Sequence, residues 1–529
     1  MSTTDLHYVQ RLLTHFDADP ERVALVSGDV PYTAGELADA TRRAASAMRE
    51  HGMGRGDVVG IVTEPNNAAT LILQWAANLV GAAAAHLRWV NPTRAGDELQ
   101  VELRRFLGVD AGARMLAVDP ASEQRVSALL PDATDGPILA VLGPGGPGTV
   151  DLTAGSADGV RPAADLTDDD LAVITQIRLA EGVRSGVCWT FGVRNRMLAA
   201  APCLPTGAIA RGGPTTILLI TPIIHYDVFT AEDTLVSGGV VVLHPGFVAE
   251  AVLRAVAAHR INRLMLGGPH VYALAEHPDR PATDLSSLTE IVYSGSPVPP
   301  HREREAREAF GPLLHQIYGT TEAGLLTMLT PDERGDPAAA GTVGRPVDPT
   351  AVSIRDPRTG AARATGEVGE ICAVPRWPSA GYWHEPELTA ALVRDGWVRT
   401  GDVGHLDGGG YLHVTGRLAD MMTIKGLIIH TEVVEKVLVQ VPGVSVAAVC
   451  GIEDADRVER VYAAVVPEPG AVVDPDEVRR HVAETLSDHH VPSLIEIRAK
   501  LPKTGWGKPD RVQLRADARA ALTRLVTRV

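Results

Sequence analysis

The order of strand-like and helix-like stretches predicts an α/β protein. It has a large, multi-layer N-terminal domain with parallel sheets and a β-rich subdomain, then a small α+β C-terminal domain. Three observations carry this. Strand and helix patterns alternate over residues 23–80 and again over 216–293, as expected for parallel strands joined by crossover helices. Residues 341–412 change to short apolar runs broken by Gly, Pro and turn pairs such as Asp356-Pro357 and Asp407-Gly408. After Gly416 the pattern becomes helix, strand, strand, helix. A chain of 529 residues exceeds what one core holds. The expected domains are 1–419, with the β-rich part at 341–415, and 420–529.

The elements follow in order. Val23-Ala24-Leu25-Val26 is a short apolar run. Residues 34–51 place Leu37, Ala40, Ala44, Ala45 and Met48 at helical spacing, with Thr33 as N-cap and Glu36 three residues on, a capping-box pair. Residues 57–62 read as a buried strand and 66–80 as a helix. Strands are expected at 216–220, 240–243, 263–266 and 288–293, and helices at 231–237 and 248–259. In the C-terminal part, helices are expected at 431–438 and 474–486, and strands at 444–450 and 460–466. The run Gly143-Pro144-Gly145-Gly146-Pro147-Gly148 reads as a surface loop.

Composition narrows the function. Hydrophobic content of 45% and charged content of 22% fit a globular protein. A net charge of −16 disfavours nucleic acid as partner, because phosphate backbones require a basic face. Cys188, Cys203, Cys372 and Cys450 are scattered with no CxxC pair, so they read as buried small hydrophobes in a reducing compartment. No basic-then-apolar leader opens the chain, and the apolar stretch 216–224 is too short to span a bilayer; the expectation is a cytoplasmic protein with no membrane partner. Lysine occurs only at Lys425, Lys436, Lys500, Lys503 and Lys508. Any catalytic lysine must therefore come from the C-terminal part.

Four motifs carry chemistry, in this order: Tyr318-Gly319-Thr320-Thr321-Glu322; Thr400-Gly401-Asp402; Gly416-Arg417-Leu418-Ala419-Asp420; and Pro502-Lys503-Thr504-Gly505-Trp506-Gly507-Lys508. The first follows an apolar run and offers hydroxyls and a carboxylate, as a ligand-facing loop leaving a sheet does. A nucleotide-activating site needs one carboxylate for a metal, one for ribose hydroxyls, and mobile positive charge for a phosphate in flight. The set supplies all three.

The set and its order resemble the adenylate-forming superfamily of acyl-CoA synthetases, adenylation domains and luciferases, from residue 34 to 511. The resemblance implies that Tyr318 stacks on adenine, that Gly319 and Thr320 line the nucleotide, that Thr321 contacts phosphate and that Glu322 binds Mg²⁺. It implies that Asp402 holds both ribose hydroxyls, that Arg417 touches ribose or phosphate, and that Asp420 is the hinge of a small, mobile C-terminal domain. Lys508 neutralises charge in the adenylation transition state. Gly295, Ser296 and Pro297 match the segment beside adenine. His225, Tyr226, Gly268, Ala323 and Gly324 match the acid-substrate pocket. Amino-acid-activating relatives carry Asp at the position of Tyr226, so an α-amino acid is disfavoured. Gly366-Glu367-Val368-Gly369-Glu370-Ile371 and Gly381-Tyr382-Trp383 also resemble the family and read as turns and core.

One motif departs. After Asp170-Leu171-Ala172-Val173-Ile174 the family carries a Ser/Thr/Gly-rich loop ending Pro-Lys-Gly that cradles the β- and γ-phosphates. Residues 175–187 retain only Gly182 and Gly186 of it. Ile177, Arg178, Ala180 and Glu181 occupy hydroxyl positions, and Ser185 the lysine position. Glu181 repels a triphosphate, whereas Arg178 and Arg184 can bind phosphate bidentately. The favoured reading is a loop rebuilt with arginines in an enzyme that still uses ATP and Mg²⁺. It forms an acyl-adenylate from a small aryl or acyl carboxylate and transfers it to CoA, a separate carrier protein or an amine. Two alternatives stay open: a nitrite-activating diazotase acting on an aromatic amine, and a nucleotide-binding homologue without catalysis.

Overall fold

The computed structural model describes residues 7–87, 112–128, 130, 136–178, 184–201, 214–223, 226–294, 300–424, 427–453, 458–503 and 509–526. Two sheets dominate the N-terminal domain. The first has nine strands, in the order Arg345–Pro346, Gly324–Leu329, Leu314–Thr320, Glu290–Ser294, Arg263–Gly267, Thr216–Leu219, Val240–Leu243, Val23–Ser27 and Val30–Thr33. Its inner strands are parallel and its edges antiparallel. The second has seven, in the order Val150–Asp151, Ile138–Val141, Ala113–Val118, Val58–Val62, Ala83–His86, Leu171–Arg178 and Arg184–Thr190. It is parallel except for the last pair, which forms a hairpin.

Each strand divides its side chains between two cores, as a period of two requires when both faces are covered. Leu25, Ile217, Leu219, Val241 and Met265 of the first sheet face a central core. So do Val59, Ile61, Ala84, Met115 and Ala117 of the second. The helices Tyr8–Ala18, Ala34–Glu50, Ala68–Leu79, Phe191–Ala199 and Tyr226–Val236 fill the layer between them. Alternate residues Leu218, Val242, Leu264 and Ile291 turn to the far side, under Ala249–His259, Gly268–Ala275 and Pro300–Phe310. Val58, Ala83, Leu116 and Val141 form a fourth surface beneath Pro120–Ser127.

The capping box at Thr33 is present: its hydroxyl accepts from Glu36 N–H at 3.1 Å, and Glu36 accepts from Thr33 N–H at 2.8 Å. Helix Tyr226–Val236 begins before the expected start at 231. Its opening residues Asp227 and Thr230 are polar yet buried, so apolar periodicity does not mark them. Helix Tyr8–Ala18 and the 171–190 hairpin were not expected. Pro144 to Gly148 are exposed, as expected of that loop.

A polar cluster lies inside the central helical layer. Arg194 and Glu232, each about 1% exposed at the side chain, form an ion pair. Glu232 also accepts from Gln74 at 3.0 Å and Trp75 at 2.9 Å. The Arg194 guanidinium stands over the rings of Tyr8, 4.7 Å away, and Phe229, 4.1 Å away. His86 bonds Gln74 at 2.7 Å, and burial pushes its ring down to about 4, so it is neutral.

The β-rich part is one sheet, Ala351–Arg355, Gly369–Val374, Trp397–Leu406 and Val393–Arg394, with Leu412–Arg417 paired to the Trp397–Leu406 strand. The C-terminal domain holds a ribbon, Met421–Ile424 and Leu427–His430, and a three-stranded sheet, Val444–Glu453, Glu459–Pro467 and Leu494–Ile497. Helices Thr431–Leu438, Pro475–Thr485 and Arg511–Val526 cover it, around cores of its own. Cys188, Cys372 and Cys450 are buried free thiols; Cys203 lies outside the described residues. Among the described residues no helix is long and apolar enough to cross a membrane.

Removing one member of a buried ion pair strands the other without solvent. Arg194→Met is expected to destabilise the N-terminal domain by about 3–5 kcal/mol, and the double variant with Glu232→Leu to recover much of that loss. Denaturant unfolding followed by tryptophan fluorescence measures both.

Candidate active site

The turn between the strands Leu314–Thr320 and Gly324–Leu329 carries Thr321, Glu322 and Ala323. It stands at the carboxyl edge of the first sheet, where Arg263–Gly267 runs into Gly268 and Glu290–Ser294 also ends. That edge is where open α/β sheets bind ligands. The paired strands approach so closely that a β-carbon on Gly319 would stand 2.0 Å from the Gly324 carbonyl oxygen. Gly324 has φ of +67°, so both positions require glycine. Thr320 Oγ1 accepts from Ala323 N–H at 3.2 Å and closes the turn. Ala323 is buried at its base, with Thr321 and Glu322 partly exposed.

Glu322 Oε1 accepts from the Tyr382 phenol at 2.8 Å; among the described residues no donor bonds its Oε2. A carboxylate with one oxygen held and one open suits a hard dication such as Mg²⁺. On the other side of the turn, Asp402 is 5% exposed. Its Oδ2 accepts from the Tyr318 phenol at 2.8 Å and its Oδ1 from Arg417 Nε at 2.8 Å. Asp402 lies opposite Arg417 in the antiparallel pair, and Gly401 before it has φ of +71°. Burial, with the Asp402 charge beside it, holds the Tyr318 phenol well above its usual range. The Asp402 charge raises Arg417. Each carboxylate oxygen offers two lone pairs, so Asp402 keeps capacity for further donors.

The hairpin Leu171–Arg178 and Arg184–Thr190 stands where the phosphate loop is expected. Its register pairs Arg178 with Arg184 and Ile177 with Ser185. Ser185 is 8% exposed, and among the described residues its hydroxyl has no hydrogen-bond partner. Residues 380–383 add to the hairpin edge: Ala380 N–H donates to Cys188 O at 2.8 Å, Cys188 N–H to Gly381 O at 2.9 Å, and Trp383 N–H to Gly186 O at 2.7 Å.

Asp420 ends the turn Leu418–Asp420, and its carboxylate pairs with Arg515 and lies 3.9 Å from Arg511, both on the last helix. Arg511 also meets Glu435 at 2.8 Å and Glu432 at 3.4 Å. Lys503 forms an isolated bridge with Pro509. Its positive charge reaches His270 on the helix Gly268–Ala275: burial first, then Lys503, lowers that ring to about 4. The C-terminal domain thus brings positive charge to the carboxyl edge of the first sheet.

The structure therefore gathers Tyr318, Gly319, Thr320, Thr321, Glu322, Ala323, Gly324, Asp402 and Arg417 around one turn. His225, Gly295, Ser296, Pro297 and Lys508 lie outside the described residues, and of Tyr226, Arg178 and Arg184 the backbone alone is described. Tyr382 was read as core; its contact with Glu322 spans two sheets and has no local signal in the sequence. Asp227 was also missed. It is fully buried in the first turn of its helix, and Thr221 donates to its Oδ2 at 2.8 Å. Burial pushes its carboxyl up to about 7, with the Thr221 bond opposing.

Because the folded state holds a proton that the unfolded chain has released, the stability from Asp227 is full below about pH 4. It is lost as pH rises through 7. The melting temperature of Asp227→Asn is therefore expected to fall less than that of the wild type between these limits, as calorimetry across that range would measure.

Residues 13–383 match the AMP-binding enzyme family, and residues 433–508 match the AMP-binding enzyme C-terminal domain. A feruloyl-CoA synthase from an Amycolatopsis species is 33% identical over 494 residues, which cover 92% of this chain and 94% of that protein. The medium/long-chain-fatty-acid–CoA ligase FadD8 of Mycobacterium tuberculosis is 29% identical over 509 residues, covering 93% and 86%. The structure of the amide bond synthetase McbA from Marinactinospora thermotolerans superposes with a TM-score of 0.82 at 33% identity, over 96% of this chain and 99% of that one. With both parts of the fold matched, the chain belongs to the AMP-binding enzyme family and is an AMP-forming ligase.

Proposed function

We propose that this ligase activates a small aryl or acyl carboxylic acid with ATP and Mg²⁺ and passes the acyl group to CoA or an amine. The observation that carries the proposal is the pair of carboxylates, Glu322 and Asp402, on either side of the turn at the carboxyl edge of the first sheet. An oxygen of the acid attacks the α-phosphorus of ATP, and the bond to the β-phosphate oxygen breaks. The products are an acyl-adenylate and pyrophosphate.

Asp402 accepts the ribose hydroxyls with its remaining lone pairs. Arg417, already bonded to it, adds positive charge beside the phosphates. Glu322 holds Mg²⁺, which offsets phosphate charge when bound. Lys508 supplies preorganised positive charge to the transition state, usually the largest catalytic contribution. Arg178 and Arg184 take the place of the phosphate loop's hydroxyls and lysine. Like charges directly opposite in a strand pair repel, and an anion between the two positions relieves that repulsion.

Asp420 is the hinge. Its bonds to Arg511 and Arg515 make it travel with the C-terminal domain, so the backbone just before it absorbs the rotation. Support for acid substrates comes from relatives described as ligases of fatty acids, ferulate and indoleacetate. Support for an amine acceptor comes from the amide bond synthetase. A separate carrier protein is a third acceptor compatible with a rotating domain.

Pyrophosphate release, screened over aryl and fatty acids with CoA or amines, tests the reading. Release that depends on one acid and falls at least a hundredfold in Lys508→Ala is expected, by analogy with the loss of a single transition-state donor. Release that needs nitrite and an aromatic amine instead would replace the acid with a diazotase reaction. In the same assay, Arg178→Ala with Arg184→Ala is expected to raise the KM for ATP about tenfold or more, matching the loss of charge-assisted phosphate bonds. An unchanged KM would refute the arginine assignment.

A further inference from the structure

We propose that Tyr382 is the positioning residue for Glu322, and that it couples this carboxylate to the hairpin standing in the phosphate loop's place. The inference rests on the reading of Glu322 as metal ligand. The segment 379–383 grips Glu322 twice. The Tyr382 phenol donates to Oε1 at 2.8 Å, and Ser379 N–H donates to the Glu322 carbonyl at 3.3 Å. A carboxylate on an exposed turn would otherwise rotate freely. With Oε1 held, Oε2 alone faces a cation, in one orientation.

The phenol is itself fixed. Tyr382 N–H donates to Thr389 Oγ1 at 2.9 Å, and its side chain packs against the apolar cluster of Ala323, Leu326, Ala373, Leu392 and Val398. Gly381 has φ of +102°, and a β-carbon there would stand 2.3 Å from Thr389 Cγ2. The tyrosine is thus pressed onto the helix Pro386–Leu392, which carries Thr389. On its other side the segment pairs with the hairpin through Gly186 and Cys188, directly after Ser185. Tyr382 therefore links three parts: the metal carboxylate, the β-rich part and the phosphate hairpin. In a hairpin lacking lysine and most hydroxyls, the metal bears more of the phosphate charge. Orientation of its carboxylate then sets metal affinity. Groups bonded behind a metal ligand typically change affinity by about 10–100-fold when removed.

The test is Mn²⁺ binding to the full chain with ATP present, read by the enhancement of water proton relaxation over that of the Mn–ATP complex without protein. The Mg²⁺ half-saturation of pyrophosphate release is measured beside it. Tyr382→Phe keeps the ring and loses the hydroxyl. It is expected to weaken Mn²⁺ about tenfold and raise the Mg²⁺ half-saturation by a similar factor, with kcat at saturating Mg²⁺ changed less. Tyr382→Leu makes the same measurement should the phenylalanine variant fail to accumulate. Glu322→Gln marks the full loss of the ligand. Wild-type Mn²⁺ affinity in Tyr382→Phe, with weakened binding in Glu322→Gln, overturns the positioning role alone. Equal affinity in wild type and Glu322→Gln overturns the metal assignment and this inference with it.

Discussion

The site depends on the closeness of two strands at one turn. Gly319 and Gly324 let Leu314–Thr320 and Gly324–Leu329 meet with no side chain between them. That contact projects Glu322 from the edge of the first sheet and leaves Tyr318 one residue before the narrowing. The β-rich part answers with Asp402, which is almost fully buried. A carboxylate there must be satisfied, since an unpaired buried charge costs several kcal/mol. Tyr318 from one sheet and Arg417 from another satisfy it. The second sheet joins through the hairpin edge and Tyr382. Three sheets are thus tied to one turn by hydrogen bonds to two carboxylates.

The distribution of charge follows the same division of labour. The chain is acidic overall and carries lysine only in its last part. The described N-terminal site holds two carboxylates and Arg417, the hairpin carries Arg178 opposite Arg184, and the lysines all belong to the C-terminal domain. Lys503, close enough to depress His270, marks its approach. Arg511 and Arg515 hold Asp420, Glu432 and Glu435 together around the junction. The last helix and the carboxylate of Asp420 therefore form one charged unit, while the chain just before it pairs with the strand Trp397–Leu406.

Legibility differed between elements for physical reasons. The helix at Ala34–Glu50 was plain because its cap is local: Thr33 and Glu36 satisfy each other's backbone within one turn. Strands such as Val240–Leu243 were plain because parallel strands covered on both faces are continuous apolar runs. The start of Tyr226–Val236 was hidden, since Asp227 and Thr230 look like surface residues yet are buried. The 171–190 hairpin was hidden because its sequence was read as a damaged loop; pairing of Arg178 with Arg184 is a property of register, which only the fold displays.

By itself the sequence determined the class of fold, the order of motifs and the residue types available for chemistry: a carboxylate in the first motif, another after Thr400-Gly401, an arginine and lysines behind them. These are local properties, written in spacing and side-chain type. The tertiary structure decided which groups meet. Tyr318 turns its hydroxyl to Asp402, 84 positions away, and Tyr382 turns its own to Glu322, 60 away. Neither contact leaves a trace in local sequence, because each is set by how separate sheets pack, and packing is a sum over the whole core.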